Sequence, residues 1–267
     1  MSEHPPQTIQ VALCFAQVPR LDPAAILGAI RQQRPDADLV DGERNGAVLV
    51  RYRRLSEQYP GARTAPLLNA ITTPVEDLDQ RDLTHSGGWK QAAEVLRRCR
   101  YSLLVTEFLG RDVATATRLS AYQAALAAVI EATRPLATWW PVSRQALPPD
   151  QAAQDPLRGL VNVRTFTEPP FADPRDEDVA LMDTLGLGQL GLPDLQCHFR
   201  YLDRDLMTDL MTNATRFLAG GGRFTGAMRG LTAHQQWPVR PARALAGPGR
   251  AVLTVDPGSP FLVEPTR

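Results

Sequence analysis

Asp194, Gln196, His198 and Arg200 alternate along one short stretch of the chain, and Asp183 stands upstream across a glycine-bearing segment. A carboxylate beside an imidazole is the pairing that general acid–base chemistry uses, the acid orienting the ring while the ring moves the proton. His198 with Asp183 or Asp194 is therefore the candidate catalytic set, and hydrolysis is the chemistry it would support. The competing account is that polar groups at every second position form the water-facing side of a half-buried antiparallel strand. On that account Leu195, Cys197, Phe199 and Tyr201 point inward, while Gln196, His198 and Arg200 point outward.

Three other motifs suggest chemistry less strongly. Gly186, Gly188 and Gly191 match the GxGxxG spacing that brings backbone amides up to a pyrophosphate. Pro193 and a period-two pattern follow where a dinucleotide site requires a helix, so the glycines read as a tight turn between strands. His85 follows Asp77, Asp79 and Asp82, but their spacing fits no established metal pattern, and Ser86 as a helix cap with Gly87 and Gly88 easing the turn explains the segment. Met207 and Met211 suit either an adaptable binding face or a core, and the apolar stripe around them favours the core. No GxSxG, HExxH, Walker-type loop or paired-cysteine ligand set occurs. Neither a metal nor a cofactor is expected.

The elements around the acid–imidazole set follow from periodicity. Residues 179–185 form a strand, and the strand bearing His198 starts near Leu195. A helix over residues 204–219 follows, capped by Asp203, striped by Leu206, Met207, Leu210, Met211, Ala214, Phe217 and Leu218, and stopped by Gly220, Gly221 and Gly222. Short strands near residues 224–229, 237–240 and 250–255 complete a sheet. In the first half, strands are expected at residues 9–15, 47–52, 67–71 and 102–109. Helices are expected after Asp22 and Pro23, over about 89–100, and over 112–133. Prolines crowd residues 134–178, with a strand at 160–166 between them, and the costly exposure of Trp139 and Trp140 argues for an ordered connection packed on the core. The fold class is α+β, a mixed and largely antiparallel sheet arrangement covered by helices. Residues 1–267 read as one domain, with a possible subdivision into 1–135, the connection 136–178, and 179–267.

Composition narrows the function classes. Twenty-nine basic residues balance twenty-nine acidic ones, so no net field gathers nucleic acid or anionic lipid. Lys90 is the single lysine, a bias without functional weight. Cys14, Cys99 and Cys197 are odd in number and set in apolar stretches, the habit of reduced thiols in a cytoplasmic protein. The N-terminal residues show no signal-peptide pattern, and no apolar run reaches the length of a membrane helix.

The stretch MDTLGLGQLGLPDLQCHF, residues 182–199, resembles a bacterial family sharing domain of unknown function 4261. The resemblance rests on Asp183 through Leu187, Leu190 through Asp194, and Gln196, His198 and Phe199, and extends to about residue 255. Trp139 and Trp140 also look like the longer members. It implies a compact cytoplasmic α+β protein that travels with toxin or secretion loci, and no residue role. Together these readings lead to a non-enzymatic protein-binding protein, of immunity or adaptor type, whose partner is a toxin or secreted effector. Its partner-facing loops are expected at Glu43 and Arg44 and at Glu76, Asp77, Asp79 and Asp82. The alternative is a hydrolase-like enzyme using His198 with Asp183 or Asp194.

Overall fold

A computed structural model describes residues 8–40, 47–59, 66–71, 83, 88–107, 113–155, 157–168, 170–172 and 178–263. The chain is α+β, and its backbone forms two compact units, residues 1–162 and 163–267.

In the first unit, alternation of apolar residues makes β1 (Ile9–Phe15), whose Ile9, Val11 and Leu13 are fully buried. Asp22 then caps α1 (Pro23–Gln33) by accepting hydrogen bonds from the amides of Ala24 and Ala25, with Pro23 in the first turn. The strands β2 (Ala37–Leu39), β3 (Ala47–Tyr52), β4 (Pro66–Ile71), β5 (Tyr101–Glu107), β6 (Ala137–Trp140) and β7 (Gln145–Leu147) join β1 in one sheet of order β2-β3-β4-β5-β1-β6-β7. Its paired strands run antiparallel. The helices are α1, α2 (Arg53–Gln58), α3 (Ala92–Arg97), α4 (Thr115–Thr133) and α5 (Pro149–Gln154). Alanine-rich α4 lies close against α1, while α3 contributes Ala92 and Leu96 to a cluster with Cys14, Cys99, Ala137 and Ala146. A buried bidentate pair between Arg118 and Glu107 ties α4 to β5 at 3.2 and 2.6 Å.

The described residues of the proline-rich stretch contain β6, β7, α5 and β8 (Asn162–Phe166), and Trp140 is fully buried with its ring against Gly159. A Cβ at Gly159, whose φ is +85°, would collide with that ring.

In the second unit β8, β9 (Val179–Leu185), β10 (Asp194–Arg200), β11 (Ala227–Arg229), β12 (Gln236–Arg243) and β13 (Ala251–Val255) form a sheet of order β11-β12-β13-β10-β9-β8. β10 runs parallel to β13 and antiparallel to β9. Asp203 caps α6 (Arg204–Ala219) through the Leu206 amide, and α6 packs on β9. Its buried residues are Met207, Met211, Ala214, Thr215, Leu218 and Ala219. Leu206 and Phe217, expected in that stripe, are instead 54% and 48% exposed. They sit beyond the edge of the arc that a sheet can cover.

Candidate functional site

The register of β9 against β10 sets Gln196 opposite Asp183 and His198 opposite Leu181. Between the strands, Gly186 at φ +131° and Gly191 at φ +73° bracket a single 3-10 turn, Leu187–Leu190. Both backbone conformations are ones that a side chain strains, which explains glycine there. Gly188 has an ordinary φ and open space beside it. The turn's amides are used internally, Gln189 to the Gly186 carbonyl, Gly191 to that of Gly188, Leu192 to that of Leu187, and Leu187 to the Asp194 carboxylate. The GxGxxG spacing thus builds a strand connection and opens no α-helix.

Asp183 and Asp194 are brought together, through arginines that came from elsewhere in the sequence. Arg164 on β8 grips Asp183 with Nε and Nη2 at 2.9 and 2.6 Å. Arg250, just before β13, donates through Nη2 to Asp183 at 2.8 Å and through Nε to Asp194 at 2.8 Å. Its other bonds go to the carbonyls of Thr184, Ala246 and Pro248, so each of the five guanidinium hydrogens has an acceptor. Asp194 also accepts from the Leu187 amide and the Thr184 hydroxyl, and that hydroxyl accepts from the Leu195 amide. The buried Arg164, the half-buried Arg250 and the two buried carboxylates balance in charge. Burial is the largest influence on the Asp194 carboxyl and raises its pKa, opposed by Arg250, the Leu187 amide and Thr184. Gln196 extends the lattice by donating to the Arg243 carbonyl and the Thr254 hydroxyl while accepting from the Leu245 amide.

His198 does not join this set. Its Nε2 lies 2.7 Å from the Phe171 carbonyl, and its Nδ1 is buried with no partner among the described residues. Nε2 therefore carries the proton and donates. Burial lowers the His198 pKa below the ordinary imidazole value, the Phe171 carbonyl opposing and Arg200 assisting. A carboxylate held by three donors and an imidazole spent on a carbonyl are poorly placed to exchange a proton with each other.

The expected exposure of this strand is overturned. Asp194, Gln196 and His198 are buried together with Leu195, Cys197 and Phe199, so β10 has no water-facing side over these residues. Tyr201, expected inward, is 58% exposed, because the strand ends at Arg200 and Tyr201 takes a left-handed φ of +61° that turns its ring out. Sequence gives Thr184 no role beyond the resemblance and does not mark Arg164 or Arg250 as site residues. The signal is an arginine in the strand pattern at 160–166 and another after a Gly-Pro-Gly turn, and neither reveals its partner.

Glu43, Arg44, Glu76, Asp77, Asp79, Asp82 and His85 lie outside the described residues. Among the described residues no group of three or more histidines, cysteines or acids is placed to hold a metal, and no helix is long and apolar enough to cross a membrane. All three cysteines are free and buried. Burial pushes the thiol of Cys14 up to about 12 and that of Cys99 to about 11, and raises Cys197 as well. No family model matches the chain, and no curated protein or solved structure matches it either.

Proposed function

We propose that this chain is a non-enzymatic binding protein of immunity or adaptor type, whose partner is a bacterial toxin or secreted effector. The observation that carries the reading is the internal commitment of the acid–imidazole set. Asp183 and Asp194 are saturated by Arg164, Arg250, Thr184 and a backbone amide, and His198 is bonded to a main-chain carbonyl. Residues engaged in this way hold a scaffold rigid, and a rigid scaffold suits a protein that works through its surface loops. The resemblance of residues 182–199 to the family named above supports the same reading. Glu43, Arg44, Glu76, Asp77, Asp79 and Asp82 are the residues assigned to the partner.

The test is affinity capture from the native host at mild salt. The same protein should be recovered repeatedly by the wild type and lost with Glu76, Asp77, Asp79 and Asp82 changed to lysine. Repeated capture without a partner, together with a hydrolytic activity that vanishes in His198→Ala, would establish the enzyme alternative instead.

A further inference from the structure

The outer side of α6 carries a stripe whose large apolar ends stand exposed among the described residues. Leu206, Leu210, Asn213 and Phe217 follow one another at intervals of four, three and four residues, the spacing of a two-helix seam. This stripe is distinct from the buried one through Met207, Met211, Ala214 and Leu218. Its ends are large and open, Leu206 at 54% and Phe217 at 48% exposure, and Tyr201 adds a second exposed ring just before the helix.

Phe217 is also held in place. A Cβ at Gly222 would come within 2.5 Å of its ring, so glycine there leaves the ring room, and the Phe224 ring lies tilted beside it at 5.2 Å between centroids. An exposed aromatic fixed in this manner loses little side-chain freedom when a partner covers it, which is the behaviour of an interface anchor.

We propose that the occupant is a second copy of this chain, with the two α6 helices packed antiparallel about a two-fold axis. The argument is self-complementarity. Reversing the helix sets Leu206 of one copy against Phe217 of the other and Leu210 against Asn213, so the stripe matches its own reverse. Asp205, Asp209 and Arg216 all lie along the same flank of the stripe. A two-fold axis across antiparallel helices brings like flanks together, which places Asp209 of one copy beside Arg216 of the other. Asn213 is the polar seam position that favours one register over its slips. One helix seam is small for a specific interface, so association falls in roughly the micromolar range. The proposal does not depend on the assignment of loops to the effector.

Sedimentation of the full chain from about 1 to about 500 µM tests the proposal. The wild type should pass from monomer to dimer across the series, and Leu206→Asp should remain monomeric with an unchanged melting curve. Should that melting curve change, Phe217→Gln supplies the same comparison. Asp209→Arg alone should weaken the dimer about tenfold, and Asp209→Arg with Arg216→Asp should restore it to within about threefold of wild type. A wild type monomeric throughout, a dimer indifferent to Leu206→Asp and Phe217→Gln, or a charge-exchanged double variant no better than the single one would each overturn it.

Discussion

Within the second unit, the polar face of β9 and β10 and the outer face of α6 invert the usual relation of chemistry to water. The first collects two aspartates, two arginines, a glutamine and a histidine and buries all but the half-buried Arg250, while the second sets a leucine and a phenylalanine in solvent, with Tyr201 exposed just before the helix. Each inversion has its own physical reason. The buried charges persist because almost every donor and acceptor among them is matched inside the sheet, and the exposed rings persist because their backbone or a neighbouring glycine fixes them outward. Chemically eloquent residues here are bonded inside the sheet, and bland ones stand in solvent.

The largest effect expected from breaking this contrast comes from Arg250. Arg250→Ala removes the cation shared by Asp183 and Asp194, and Asp194 loses its only ion-pair partner among the described residues while still buried. The expected loss is about 3–5 kcal/mol, measured by urea unfolding. Arg250→Lys should recover only part of it, since an ammonium cannot fill five directed positions. Next in size is the turn. Gly191→Val forces a branched side chain onto a φ of +73° and should cost about 1–3 kcal/mol, whereas Gly188→Ala, with free space and ordinary backbone, should stay within about 0.5 kcal/mol of wild type.

A smaller effect is expected from pH. The unfolded chain binds a proton at His198 near the ordinary value of about 6.5, and the folded chain binds it only at lower pH. Between those values the unfolded state holds more protons, so stability falls as pH drops through about 6.5 and levels off below the folded pKa. Thermal melts from about pH 7.5 to about 5 should show this decline, and His198→Gln, which still donates to the Phe171 carbonyl but does not titrate, should flatten it. The smallest stability change belongs to the exposed stripe, where Leu206→Asp should alter the unfolding free energy by no more than about 0.5 kcal/mol while abolishing self-association.

Much of this fold is legible in the order of residues. β1, β9 and α6 fall where periodicity, proline and the Asp22 and Asp203 caps put them, because these signals are local. The short pieces β2, β6, β7, α2 and α5 escaped, being too brief to show a period. The site was half legible. Asp183 and Asp194 stand out as residues, but their environment is set by Arg164 and Arg250, which reach them only through sheet pairing that brings β8 and the segment before β13 alongside. A two-residue period likewise tells which side chains share a face of β10, and says nothing about whether that face is covered. For α6, the apolar arc in the sequence is broader than the sheet beneath it, and only the fold decides which edge remains open.

The central claim is that the polar set of the second unit is a strut. Because the chain holds two compact units, a local readout tests it better than a global melt, and hydrogen exchange of Arg250→Ala supplies one. Amides of β9, β10 and β13 should lose at least about a hundredfold in protection, while those of β1 and α4 keep theirs. Unchanged protection across β9, β10 and β13 would contradict the account, since those carboxylates would then not depend on the arginine that binds them both.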